Sequence, residues 1–353
     1  MREEAVWHNA AVRRRARFPS GCRMNSARPD SNSPAVVAAS HGEEAALPAV
    51  SRSAPCASGQ GGAACSAAAN AFGSGLQVTC ARAVALTVLT ECDPATKARA
   101  ASALYASVLA GTAQCDPART FDEPAALPGR PARPELVEPR LLQRRSMRTV
   151  EGRAVLLHAL AHIEFNAINL ALDAVWRFAG MPERFYRDWL KVAAEEAHHF
   201  SLLAARLADF GATYGDFPAH DGLWEMCERT RDDVLARMAL VPRTLEARGL
   251  DASPPIRARL VQAGDHASAA ILDVILRDEV GHVLIGNHWF RHLCAERRLD
   301  PHETWLALAE RYKAPRLRGP FNFDARREAG FDEAELTALT KLAAGEDAAG
   351  GDG

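Results

Sequence analysis

One order of residues occurs twice in the middle of this chain: a lone glutamate, then, about one helical hairpin later, Glu-x-x-His. Glu164 lies 32 residues before the Glu196 of Glu196-Ala-His-His199, and Glu246 lies 33 residues before the Glu279 of Glu279-Val-Gly-His282. Residues three apart share one face of a helix, so each Glu and His pair can address the same ion. The first motif has two registers, Glu195/His198 and Glu196/His199. Packing chooses between them. The apolar stripe Trp189, Val192, Ala193, Phe200, Leu203 and Leu207 continues through positions 196 and 199, whereas 195 and 198 share the polar face with Asp188, Lys191 and Arg206. The second motif lies on the stripe of Leu272, Ile275, Gly286, Trp289 and Phe290. Carboxylates are almost never fully buried unless paired or coordinating. Inward acids and imidazoles in this number therefore call for cations. A single ExxH arises easily by chance in a charged chain; the doubled order and spacing carry the inference.

Helical periodicity runs through Val155–Phe178, Phe185–Phe210, Leu223–Arg248 and Pro255–Cys294, and no stretch alternates with period two long enough for a sheet. The breaks are Gly180-Met181-Pro182, the run Gly211 to Gly222, and Gly249 to Pro255. Four long helices with a longer crossover between the second and third are the requirements of an all-α, ferritin-like four-helix bundle. Pro242 kinks the helix of Glu246 one turn before it.

Composition divides the rest. Residues 1–75 are rich in Ala, Gly, Ser, Pro and Arg and have too little apolar bulk to offset ordering entropy, so they read as a disordered tail, a transit-like leader or a mis-called start. Residues 76–112 read as an N-terminal helical extension broken near Asp93-Pro94. Residues 113–150 form a Pro- and Arg-rich linker, 151–298 the bundle, 299–343 C-terminal helices with a basic segment, and 344–353 a Gly/Asp-rich tail. The eight cysteines form no CxxC pair, which removes a rubredoxin-type centre or a zinc ribbon and suits a reduced cytosol. No run of about 20 apolar residues suggests a membrane span, and the net charge of −2 argues neither for nor against nucleic acid. The chain reads as cytoplasmic.

A Glu from each of two helices plus Glu-x-x-His from the other two is the ligand set of di-iron and di-manganese bundle proteins. Four carboxylates balance two divalent ions, and hard oxygens with two imidazoles suit Fe, Mn or Zn. Glu196 and Glu279 are expected to bridge, Glu164 and Glu246 to be terminal, and Asp273 and Asp278 to support the histidines. His158 and His162 read as structural.

The stretches HALAHIEFNAINLALDAVWRF, EEAHHFSLLAARL, YGDFPAHDGLWEM, LVPRTLEARGLD and ILRDEVGHVLIGNHWF closely resemble the bacterial domain-of-unknown-function 455 family within the ferritin-like superfamily, over roughly residues 78–330. The resemblance implies that fold and a di-metal centre on Glu164, Glu196, His199, Glu246, Glu279 and His282; it implies no reaction. The leading expectation is an oxidoreductase with two iron ions (manganese or mixed Fe/Mn as variants) that uses dioxygen to oxidise or hydroxylate a substrate. That substrate is a small molecule or RNA, and the electron donor is unknown. Tyr214, Phe217, His220 and Trp224 of the crossover and the basic run Arg311 to Arg327 are candidate substrate elements. The alternatives are iron handling or peroxide scavenging, as in ferritins and rubrerythrins, and a non-catalytic metal-binding bundle. A monomer or dimer is expected rather than a cage.

Overall fold

A computed structural model describes residues 79–142 and 145–344. The expected tail at 1–75 lies outside these residues, as does all but Ala344 of the tail at 344–353.

The chain is a helical bundle. It opens with a two-residue strand, β1 (Thr79–Cys80), and helices α1 (Ala81–Leu89) and α2 (Pro94–Leu109). Asp93 ends the gap between them by accepting from the Thr96 amide at 2.8 Å, and Pro94 occupies the first helical position, where its missing N–H costs nothing. A second short strand, β2 (Ala113–Gln114), pairs in parallel with β1. The linker then crosses the bundle and is tied down from both sides. Buried Lys97 donates to the Leu89 and Gly129 carbonyls and to Asn169, at 3.1, 2.8 and 2.6 Å, and buried Arg130 pairs with Asp221 of the crossover at 2.7 Å.

Helices α3 (Val150–Arg177) and α4 (Glu183–Asp209) make the first long hairpin. Thr149 caps α3 by accepting from Gly152, and the stripe read from the sequence of α4 is the one that is buried. Among the described residues only α3 is long and apolar enough to cross a membrane, and 78% of its most apolar window is buried inside the bundle.

The second half departs from the expected segmentation. Instead of one helix over Leu223–Arg248, the chain forms α5 (Gly222–Arg229), α6 (Val234–Leu240), a π-helical turn over Val241–Glu246, and α7 (Ala247–Gln262). The expected break at Gly249 to Pro255 is helix. Pro254 leaves the Leu250 carbonyl without its usual amide, and the Asn322 side chain supplies a donor at 3.2 Å. The true break is at Gly264, with φ +76°, and Asp265, which caps α8 (His266–Arg297) by accepting from Ser268. Pro242 removes a donor from the ladder and the backbone widens into the π turn. There the Thr244 hydroxyl donates to the Ala239 carbonyl at 2.7 Å.

Gly286 of α8 receives this turn. A Cβ at position 286 would lie 2.5 and 2.7 Å from Cβ and Cγ of Pro242. Gly286→Ala should therefore destabilise the fold by about 1–3 kcal/mol despite the better helix propensity of Ala. Urea unfolding checks this; an unchanged midpoint would contradict the contact.

Helices α9 (Pro301–Arg311), α10 (Phe323–Glu328) and α11 (Glu333–Ala344) complete the chain. The last two cover α7 and α8 through Ala247, Leu250, Val283, Ala329, Phe331, Leu336 and Leu339. Part of the basic segment serves this packing. Buried Arg326 pairs with Asp251 at 2.6 Å, and Arg327 with Glu333 at 2.9 Å.

Candidate metal centre

All six residues picked from the sequence are buried: Glu164 on α3, Glu196 and His199 on α4, Glu246 at the end of the π turn, and Glu279 and His282 on α8. Two triads form among them, Glu164/Glu196/His199 and Glu196/Glu279/His282, each with its potential ligand atoms within 4.8 Å of one another. Glu196 belongs to both. Its Oε2 lies 3.3 Å from His199 Nδ1 and its Oε1 2.9 Å from His282 Nδ1. His199 Nδ1 is also 3.4 Å from Glu164 Oε2, and His282 Nδ1 3.8 Å from Glu279 Oε2. Glu246 is in neither triad; its carboxylate joins Glu164 and Glu279 on the wall of an adjoining cavity.

Polar atoms here are left without hydrogen bonds. Glu164 Oε2, Glu196 Oε1, Glu246 Oε2, Glu279 Oε2 and His282 Nδ1 are buried and unpartnered. Leaving one such group unsatisfied costs about 1–3 kcal/mol, and five at one place would be untenable without a further partner. The 2.9 Å contact between Glu196 Oε1 and His282 Nδ1 lacks hydrogen-bond geometry. Both atoms are lone-pair donors once deprotonated, so the donor set fits divalent cations.

The outer nitrogens of both rings are held crosswise. His199 Nε2 lies 3.0 Å from Asp278, beside Glu279, and His282 Nε2 lies 3.0 Å from Glu195, beside Glu196. Each carboxylate preceding one motif thus orients the histidine of the other, with Nδ1 turned inward. Asp278 was expected in such a role. Asp273 instead pairs with Arg257 on the surface, and Glu195, assigned to the polar face, reaches His282 from there. The signal for it was in the sequence: both motifs read acid-Glu-x-x-His. Glu195→Gln and Asp278→Asn should each weaken metal affinity about 10–100-fold while leaving the helical circular dichroism intact. Unchanged affinity in both would remove this role.

Electrostatics follow from burial. Desolvation, with repulsion from Glu196, pushes Glu164 and Glu246 each up to about 8, and Glu279 well above the carboxylate range. Glu196 goes the other way: burial opposes its ionisation, but the two imidazoles hold it far below that range. Against the same burial, Glu196 and Glu195 hold His282 up to about 10, and Asp278, Glu164 and Glu196 raise His199 further. Without cations the site stores protons that cations would displace. The carboxyls of Glu164 and Glu246 rise from 4.5 to about 8 on folding, so their contribution to stability is complete below about 4.5 and is lost as pH rises through about 8. His282 has the same sign between 6.5 and about 10, whereas Glu196 acts oppositely in acid. Chelated protein should melt at lower temperature at pH 9 than at pH 6.5, and divalent metal should abolish the difference. A chelated melting point that rises with pH would contradict this.

The chain matches, over residues 90–337, a family described as "Protein of unknown function (DUF455)". It belongs to that family. A relative from Haemophilus influenzae named "Uncharacterized protein" is 46% identical over 262 residues, which cover 71% of this chain and 90% of the relative. No solved structure matches. All six candidate ligands, and Glu195 and Asp278, fall within the DUF455 span.

The other sequence candidates serve the scaffold. His162 Nδ1 is 2.9 Å from the Tyr214 hydroxyl, and His158 Nε2 accepts from the Gly215 amide at 2.9 Å. Phe217 meets the His158 ring edge-on, and Trp224 donates to Glu228. These crossover aromatics do not line the cavity beside the carboxylates; from the crossover, Leu223 does.

Proposed function

We propose that this DUF455 protein is a di-metal carboxylate oxidoreductase of ferritin-like architecture, with two iron ions held by Glu164, Glu196, His199, Glu246, Glu279 and His282. The observation that carries the reading is the shared carboxylate. Glu196 faces one imidazole with each of its oxygens, and each imidazole belongs to a separate triad, which is the arrangement a bridging ligand between two ions requires.

Two ions of iron type would supply the electrons for reducing dioxygen and open positions for it to bind. The chain's own residues do the rest. Glu195 and Asp278 fix the ring orientation of His282 and His199. Glu196 stays ionised, and Glu164 and Glu246 release their protons as cations enter. The apolar cavity against Glu164, Glu246 and Glu279 excludes bulk water from the reacting face. Hydroxylating an organic substrate would put one oxygen atom into it and convert the other to water, with two electrons and two protons from an outside reductant.

The cavity favours substrate oxidation over iron storage, which needs no organic-binding pocket. The test is to load the protein with ferrous iron and admit dioxygen. A charge-transfer absorption that appears with oxygen uptake is expected, on a monomer or dimer in size-exclusion chromatography. No oxygen uptake, or a 24-subunit shell, would overturn the reading.

A further inference from the structure

The cavity beside the carboxylates says what kind of molecule the site takes. It encloses ≈ 450 Å³, counting its open side, and is lined by Glu164, Glu246 and Glu279 but by neither histidine. Every other wall is uncharged. Leu160, Leu245, Leu272 and Ile275 are buried in it, Ile163 and Leu223 are partly exposed, and Ala167, Gly249 and Ser253 complete it. No Lys or Arg lines it, so an anion would face three carboxylates with no counter-charge and a full desolvation cost. The basic residues that could have served are used elsewhere: Arg326 on Asp251, Arg327 on Glu333, and Arg311 over the Tyr312 ring.

From this lining we infer that the substrate enters as an uncharged, apolar molecule or apolar group, admitted between Ile163 and Leu223, with Ser253 as its one neutral hydrogen-bonding wall residue. Phosphorylated metabolites and RNA phosphates are excluded from the reacting face. The inference deepens the oxidoreductase reading and names the substrate class of the same centre, but the cavity is a property of the fold and can be probed without metal.

The probes are 1-hexanol, hexanoate and hexylammonium, matched in length and differing in charge. They would be titrated into full-length chelated protein and followed by saturation-transfer NMR. 1-Hexanol should bind saturably, with affinity about tenfold or more above either ion, because a buried charge without a partner is strongly penalised. Ala167→Leu, which fills the cavity, should reduce hexanol affinity about tenfold while the folded spectrum and metal content stay unchanged. Should that variant not fold, Leu223→Ala replaces it and should raise the affinity for the longer 1-octanol. Equal or tighter binding of hexanoate overturns the proposal, as does hexanol binding indifferent to the cavity variant. Hexanol binding that persists in a protein taking up no metal would sink the di-metal reading and leave this one standing.

Discussion

Glu196→Ala and Glu279→Ala each abolish binding of the second ion. Glu196 belongs to both triads, and its removal leaves His199 and His282 facing each other at 5.9 Å between ring centroids with no anion between them. Glu279 completes the triad of His282, and without it that half retains one carboxylate and one imidazole. Metal analysis after loading with ferrous iron should give two ions per chain for wild type and at most one for either variant. His198→Ala is the control. That residue is exposed one position from His199, and its loss should leave the count unchanged. Two ions retained by both glutamate variants would mean that other carboxylates hold the metal.

Asp173→Ala should cost about 3–5 kcal/mol, the usual result of removing one partner from a buried ion pair. Asp173 is fully buried on α3. It accepts from Arg177 at 2.8 Å and from Trp176 at 3.2 Å, and it pairs with buried Arg237 of α6. Arg237 in turn donates to the Thr230 hydroxyl at 2.8 Å and the Cys227 carbonyl at 2.6 Å, which fastens the break between α5 and α6. Removing the carboxylate strands a guanidinium in the core a few residues before the π turn that presents Glu246. Urea unfolding measures the loss, and one below about 1 kcal/mol would show that Arg237 finds another partner. The variant should also bind metal more weakly, through the displaced π turn.

What the sequence made legible was whatever periodicity and chemistry both mark. The stripe of α4 fixed the register of Glu196 and His199 because apolar neighbours recur on their face. Glu246 was reachable through the doubled spacing even though its segment winds as a π turn rather than the straight helix expected. The segmentation after Leu223 was not legible. Gly249, Pro254 and Pro255 are local stop signals, but Asn322, 72 residues after Leu250, satisfies the carbonyl that Pro254 leaves free. Long-range compensation of that kind leaves no local mark. Glu195 was misread for a related reason. A residue on the polar edge of a helix, its side chain 29% exposed, can still reach inward to a ring from the opposite helix. Nor did the sequence distinguish the crossover aromatics that pack on His158 and His162 from ones facing a cavity.

The most direct test is anaerobic titration of chelated full-length protein with ferrous iron, followed by equilibrium dialysis and by proton release. The structure predicts saturation at two ions per chain, with protons displaced from the carboxyls of Glu164 and Glu246, which titrate at about 8. Saturation at a single ion, or iron uptake that releases no protons at pH 7, would show that these six side chains do not hold a two-metal centre.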